Sequence, residues 1–247
     1  MPIGPISAVS ERAIQQTNVF HMSRLPLLRA GTFANRGENI TTLAKVVFDM
    51  DGVLVDSRES LLDAYVRTCK RFDIVSEEAQ FASLLGGTLE EIFESLHPRL
   101  PSERLCKEFR TISTALPVTA YNGIHALLNN LRSDGLLLAI ATNKDLARAE
   151  KITKSLKLEI SEVLSPSSGY LPKPDPSMLL AAIGHFQPSQ VLFVGDTSTD
   201  QAAARYAGCY FAHAAWGYEP TISMTAGEFV ARSPSQLRKI IGEITAK

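Results

Sequence analysis

One stretch constrains this chain most: a short apolar run that is followed at once by two carboxylates and a glycine. Residues 45–57 read KVVFDMDGVLVDS. The run at 45–48 is rich in β-branched residues and is bounded by a turn signal, so it predicts a buried strand. Side chains alternate along an extended chain, so Asp49 and Asp51 point to the same side if the extension continues. Two adjacent carboxylates are costly unless a cation lies between them or one holds a proton. Gly52 allows the chain to turn sharply after them.

Similar apolar runs alternate with helical segments through the second half of the chain. Strands are predicted at 136–141, 162–164, 191–194 and 209–212, and helices at 123–132, 144–156, 178–186, 200–206 and 235–244. This alternation predicts an α/β fold with a Rossmann-like parallel sheet. Ligands of such sheets bind at the carboxyl ends of the strands. Asp49, Thr142 and Asp196 each follow a predicted strand, so we expect them to meet at one edge.

The segment between the first strand and the rest of the sheet has a different pattern. It contains helical periodicity at 58–71, 76–85, 88–96 and 102–115, with no strand signal. We therefore predict a catalytic core formed by 45–56 and 122–247, with a small α-helical insert at 57–121. Residues 1–44 contain Pro, Gly and scattered Arg, and we expect a flexible N-terminal extension. A leader, a targeting segment and an over-extended start with Met22 as the true start are the alternatives.

The composition excludes several classes of function. The chain has 25 basic and 26 acidic residues, a balance that does not support binding to nucleic acid. No apolar run approaches the roughly 20 residues that a membrane span needs. The three cysteines lie far apart without the spacing of a metal site, and free thiols fit a reducing compartment. We expect a cytoplasmic protein, a monomer or a homodimer.

The polar residues at and near the predicted strand ends suit phosphoryl transfer. A carboxylate-rich set is typical of Mg²⁺, which binds through one or two carboxylates, substrate phosphate and water. Asp49 is a plausible nucleophile, and Asp51 is then placed to protonate the leaving oxygen and to activate water. Three other candidate residues have alternative structural roles. Lys173 lies in a Pro-rich loop, where an exposed lysine is the alternative, and the alternative for Thr142 and Asp200 is a helix cap. The full set is Asp49, Asp51, Thr142, Lys173, Asp196 and Asp200.

Four segments together resemble the motifs of the haloacid dehalogenase-like (HAD) superfamily: DMDGVLVDS, ATNK, LPKPDP and VGDTSTD, in that order. The resemblance covers residues 45 to about 220 and implies a HAD-like core with the helical insert as its cap. It implies that Asp49 is the nucleophile and that Asp51 is the general acid/base. The resemblance further implies phosphate binding by Thr142 and Lys173. The implied Mg²⁺ site is formed by Asp49, the backbone carbonyl of Asp51, Asp196 and, in a supporting role, Asp200.

The resemblance also narrows the chemistry. Dehalogenases of the superfamily lack the second Asp, and its sugar phosphomutases typically carry a His soon after the first motif, where Ser57 to Ser60 stand here. The WGY run at 216–218 and the overall layout are most similar to phosphoglycolate phosphatases. This implies a Mg²⁺-dependent phosphatase that hydrolyses a small phosphorylated metabolite, a phosphoglycolate-like compound or a sugar phosphate monoester, through an aspartyl-phosphate. A phosphomutase and a non-catalytic HAD-like binding or regulatory protein are the alternatives.

Substrate recognition is expected between core and cap. The loop 85–88 is similar in position to the substrate loop of the family's caps, so the expected substrate-binding residues include Gly87 and Thr88. Thr88 has an alternative role as a helix N-cap. The others, from the core, are Thr142, Asn143 and Lys173.

Overall fold

The computed structural model describes residues 42–160 and 162–245. The strands are β1 (Lys45–Phe48), β2 (Val55–Asp56), β3 (Thr119–Ala120), β4 (Leu137–Ala141), β5 (Glu162–Leu164), β6 (Val191–Gly195), β7 (Tyr210–Ala214) and β8 (Phe229–Ala231). The helices are α1 (Arg58–Arg71), α2 (Glu78–Ser83), α3 (Leu89–Leu96), α4 (Ser102–Ala115), α5 (Ile124–Ser133), α6 (Leu146–Ser155), α7 (Ser177–Ile183), α8 (Ser198–Ala207) and α9 (Pro234–Thr245). Six of the strands form a parallel sheet in the order β5-β4-β1-β6-β7-β8. The predicted α/β class with a parallel sheet is confirmed.

The central position of β1 determines where the site lies. Phe48 is in register with Ile140 on β4 and with Val194 on β6. The residues that follow these three strands therefore come out at one level along the sheet edge. All four residues of β1 are buried, as expected for a strand that is covered on both faces.

Helices cover both faces of the sheet. Val46 and Phe48 pack into the cluster that α5 and α9 cover, whereas Val47 packs into the cluster that α7 and α8 cover. This alternation is the period of two that a strand imposes.

The insert packs around its own aromatic cluster. The rings of Tyr65 and Phe81 stack with centroids 4.3 Å apart, and Phe93 and Phe109 meet edge to face at 5.9 Å. Strands β2 and β3 pair antiparallel where the chain enters and leaves the insert. All described residues fall in one compact unit, so the division into core and cap remains a prediction.

The structure differs from the sequence prediction at element ends and in the shortest strands. The second insert helix begins at Glu78, not directly after Ser76, and α6 begins at Leu146 because the Asp145 side chain caps it. Strands β2, β3 and β8 were not predicted. Two or three residues show no period, and of the strands this short only β5 was predicted. The predictions for the N-terminal extension fall almost entirely on residues 1–41, outside the described residues. No helix in the described part of the chain is long and apolar enough to cross a membrane.

Candidate active site

Asp49 lies at the carboxyl end of the central strand and is 5% exposed. Its backbone N–H donates to the carbonyl of Val194 at 2.8 Å, which anchors the residue to β6. Its Oδ1 lies 2.8 Å from the Lys173 ammonium. Burial raises the pKa of Asp49 to about 7, an effect that Lys173 opposes and Asp200 reinforces.

Lys173 reaches the same point from the Pro-rich loop, and it is 4% exposed. Burial by itself lowers the pKa of Lys173, but the carboxylates of Asp200 and Asp49 outweigh this and raise it. Its ammonium donates to Asp200 Oδ1 at 2.6 Å. The alternative of a solvated loop lysine is therefore wrong.

Asp200 is saturated with hydrogen-bond donors. In addition to the bond from Lys173, its Oδ2 accepts from the backbone N–H of Asp196 and from both the N–H and the hydroxyl of Thr197. Thr197 and Asp200 form the capping box of α8, so the predicted capping role of Asp200 and its contact with Lys173 coexist. With both oxygens engaged, Asp200 orients its neighbours.

Asp49, Asp196 and Asp200 form an acidic cluster in which one carboxylate oxygen from each lies within 4.8 Å of the others. Asp196 is fully buried, and burial together with Asp200 and Asp49 raises its pKa well above the usual value. Its Oδ2 accepts from the Tyr218 N–H at 2.6 Å, but Oδ1 has no hydrogen-bond partner among the described residues. Three carboxylates against one ammonium leave an excess of two negative charges. A buried cluster with that excess and one unpartnered oxygen fits a hard divalent cation.

Two glycines allow the chain to close around Asp196. A Cβ on Gly52 would lie 2.1 Å from Asp196 Oδ2, and a Cβ on Gly217 would lie 2.3 Å from the same atom. Gly52 also has φ +84°, in the left-handed region that favours glycine. Any side chain at either position would occupy the space that the carboxylate needs.

Asp51 points into different surroundings. Its Oδ2 is 2.9 Å from the ammonium of Lys144, and its Oδ1 accepts from the Ser57 hydroxyl at 2.5 Å. Ser57 in turn lies 2.7 Å from the Tyr218 hydroxyl. Because Ser57 has only one proton to give and gives it to Asp51, Tyr218 is the donor to Ser57. The Asp51 carboxylate thus lies outside the acidic cluster, and the predicted metal contact through its backbone carbonyl stays a prediction.

Sequence reasoning missed the contacts of Asp51 with Lys144 and Ser57, and the contact of Ser57 with Tyr218. Lys144 directly follows Thr142 and Asn143 in the chain, but its helical periodicity led to its assignment as a helix residue. Ser57 was considered only as a position without His, and Tyr218 only as part of a subgroup signature. The available signal was that Lys144 is the last residue of the ATNK motif.

The second motif connects the two sides of the site. Thr142 is buried, and its hydroxyl accepts from the Lys144 N–H at 3.2 Å, while the cap of α6 is Asp145. Asn143 accepts from the Lys173 N–H at 2.8 Å and donates to the carbonyls of Lys173 and Gly86. Asn143 therefore fixes the Lys173 loop and ties it to the loop between α2 and α3.

A cavity of about 70 Å³ opens over these residues. Asp49, Asp51, Thr142, Asn143 and Lys173 line its floor, and Gly87 is part of its opposite wall. Thr88 is not among the lining residues. It caps α3 in a capping box with Glu91, the structural alternative considered for it.

The chain is similar to known proteins over most of its length. Residues 46–214 match the family model described as haloacid dehalogenase-like hydrolase. The chain is 30% identical over 195 residues to a phosphoglycolate phosphatase of Cereibacter sphaeroides, covering 70% of this chain and 85% of the relative. It is 32% identical over 188 residues to the N-acetylmuramic acid 6-phosphate phosphatase of Pseudomonas aeruginosa, covering 71% and 83%. The crystal structure of a predicted phosphatase from Clostridium acetobutylicum has the same fold, with a TM-score of 0.73 at 22% identity over 82% of this chain and 99% of that one.

Proposed function

Because the chain belongs to the haloacid dehalogenase-like hydrolases, we propose that it is a phosphatase. It hydrolyses phosphate monoesters of small metabolites through an aspartyl-phosphate at Asp49. The observation that carries the proposal is the pairing of two carboxylates with different surroundings. Asp49 lies buried within the acidic cluster and beside Lys173, whereas Asp51 is held by Lys144 and Ser57 beside the same cavity.

In the first step, an oxygen of Asp49 attacks the phosphorus while the bond from phosphorus to the leaving oxygen breaks. Lys173 and the Thr142 hydroxyl hold phosphate oxygens in line with Asp49. Asp51 gives a proton to the leaving oxygen, so the product departs as an alcohol.

In the second step, the ionised Asp51 takes a proton from water, and the resulting hydroxide attacks the phosphorus. The bond between Asp49 and phosphorus breaks, which releases inorganic phosphate and restores the Asp49 carboxylate. Ser57 and Lys144 hold Asp51 in place through both steps, and each contacts a different oxygen.

Mg²⁺ is the cofactor that fits the acidic cluster. Asp49 and Asp196 would hold it together with the Asp51 carbonyl, and Asp200 would support the site through its hydrogen bonds to the 196–197 turn. When bound, the cation supplies charge neutralisation for the phosphate and for the acids around it. The unpartnered Asp196 Oδ1 supports this assignment.

The substrate is a small phosphorylated metabolite, in keeping with the activities named for the relatives. The phosphomutase alternative is not favoured, because the side chain in contact with Asp51 after the first motif is the Ser57 hydroxyl and not a His. The alternative of a non-catalytic binding protein is not favoured either, because the site keeps both its nucleophile and its acid. Cytoplasmic localisation and a monomeric or homodimeric state remain predictions.

The test is phosphate release from a panel of esters by wild type and Asp49→Asn, with Mg²⁺ and with a chelator. The panel contains phosphoglycolate, hexose phosphates, nucleotides and an aryl phosphate. We expect Mg²⁺-dependent release that is lost in the folded variant. Absence of release on every ester by wild-type protein that binds Mg²⁺ would overturn the proposal.

A further inference from the structure

Two cavities adjoin at the proposed active site, and the one that contains the nucleophile is the smaller. It measures about 70 Å³, whereas the second measures about 290 Å³, near the lower end of the roughly 300–1,000 Å³ of small-molecule sites. Leu61, Lys144 and Arg148 line both. The smaller cavity has room for a phosphate and little more, so the rest of a substrate must extend beyond it.

The surroundings of Asp51 indicate the direction of that extension. Ser57 and Lys144, the two side chains that contact the Asp51 carboxylate, both line the second cavity. Asp51 is the residue that protonates the leaving oxygen in the proposed mechanism. Lys144 lines both cavities, so a leaving group that begins beside Asp51 in the smaller cavity can extend past Lys144 into the second.

The lining of the second cavity contains no carboxylate. It combines six apolar residues with three cations and five hydroxyl side chains. Two of its three cations are paired, Lys144 with Asp51 and Arg148 with Asp145. The third, Lys151, is exposed, donates to the Thr114 carbonyl at 3.2 Å and forms no ion pair among the described residues. Five hydroxyl side chains share the wall: Ser57, Ser60, Ser113, Thr114 and Ser155.

We propose that the second cavity binds the leaving group, and that the preferred leaving group is a polyhydroxylated alcohol with an anionic group at its far end. Lys151 binds that anion, with Arg148 beside it. Each of the five hydroxyl side chains donates its own proton within the protein, so its oxygen can accept from the hydroxyl groups of such a leaving group. The Lys151 ammonium, which has no ion-pair partner among the described residues, complements the anion. The inference rests on the proposed phosphatase activity and names the substrate class of that site.

The test uses two esters that differ only at the far end. 6-Phosphogluconate and sorbitol 6-phosphate have the same open six-carbon chain, with a carboxylate in the first where the second has a hydroxymethyl group. Phosphoglycolate and ethyl phosphate are the short pair. We expect wild type to prefer 6-phosphogluconate over sorbitol 6-phosphate about 10-fold or more in kcat/KM, and also to prefer it over phosphoglycolate.

The matched variants are Lys151→Met and Lys154→Met. Lys154 lies one turn further along α6, is equally exposed and does not line the second cavity. Lys151→Met should raise KM for 6-phosphogluconate roughly 3- to 10-fold and leave sorbitol 6-phosphate unchanged, because it removes one charge-assisted contact. Lys154→Met should change neither.

The inference would be overturned if Lys151→Met and Lys154→Met had equal effects, or if wild type did not prefer 6-phosphogluconate. In either case, release of phosphate would still support the phosphatase proposal. Absence of release by wild type from all esters would instead overturn the phosphatase proposal.

Discussion

Asp49 and Asp51 are separated by a single residue, but their surroundings are opposite in charge. Asp49 faces two other buried carboxylates and one ammonium, and its pKa is raised to about 7 chiefly by burial. Asp51 is held by an ammonium on one oxygen and a hydroxyl on the other. Two carboxylates in different environments are the usual basis for a division of labour between nucleophile and acid.

The substitution Lys144→Met should slow phosphate release from alkyl phosphates roughly 10- to 100-fold, because Asp51 loses the contact that positions it as an acid. Aryl phosphates have good leaving groups that need little protonation, so their loss should be much smaller. The measurement is kcat for both ester types in wild type and variant. Equal losses for alkyl and aryl esters would show that Lys144 does not act through Asp51.

The loop between α2 and α3 contacts residues at the sheet edge. The Gly86 carbonyl accepts from Asn143 at 3.0 Å, and a Cβ at Gly86 would lie 2.9 Å from Thr197 Cγ2. The φ of Gly86 is +106°, whereas Gly87 has an ordinary φ and its nearest contact would be at 3.4 Å. The adjacent glycines therefore differ sharply in their need for glycine.

Gly86→Ala should reduce the free energy of unfolding by about 1–3 kcal/mol, because it adds backbone strain and a close contact. Gly87→Ala is the control and should cost less than about 1 kcal/mol. Urea unfolding of both variants measures the difference. Equal stability of the two would mean that this loop is not fixed against Thr197.

Strand β7 contains a buried histidine, His213, which is 1% exposed and in register with Gly195. Burial lowers its pKa, and the nearby residues Glu219 and Pro220 oppose this only in part. The folded state therefore keeps the ring neutral at a pH where the unfolded chain, with a His pKa near 6.5, begins to take up a proton. The contribution to stability is present above about pH 6.5 and is lost as the pH falls towards the lowered pKa.

His213→Leu should remove this dependence, because leucine is similar in size and cannot take up a proton. The free energy of unfolding of His213→Leu minus that of wild type should increase as the pH falls from about 7.5 to about 5.5. The increase should be at most about 1.4 kcal/mol per pH unit. Urea unfolding at the two pH values measures it. A constant difference would contradict the assignment of a neutral buried ring.

For the whole molecule, the sheet and its reactive edge could be predicted because strand patterns are local. The apolar runs at 45–48, 136–141 and 191–194 predicted strands, and the polar residue that follows each strand, Asp49, Thr142 or Asp196, lies at the sheet edge. The contacts of Ser57 with Tyr218 and of Lys144 with Asp51 could not be predicted, because they join distant segments and leave no period in the sequence. The second cavity is likewise a product of how α6 lies against the insert.

A cation bound at the acidic cluster, as proposed above, would stabilise the folded molecule. Mg²⁺ at about 100 times its Kd should raise the melting temperature of wild type by roughly 5–10 °C, because it binds only the folded state. Asp196→Asn should abolish this shift. The control Asp134→Asn, at a carboxylate paired with Arg238 outside the cluster, should preserve it. A full shift in Asp196→Asn would exclude the cluster as the cation site.

The most direct test of the account is to identify the residue that receives the phosphoryl group. Enzyme quenched during turnover is reduced with borohydride, which converts an aspartyl-phosphate to homoserine, and the peptides are sequenced by mass spectrometry. Phosphoryl transfer to Asp49 predicts homoserine at position 49 in wild type and none in Asp49→Asn, and turnover by this variant should be roughly 10³-fold slower or more. Homoserine at another aspartate, or full turnover by Asp49→Asn, would contradict it.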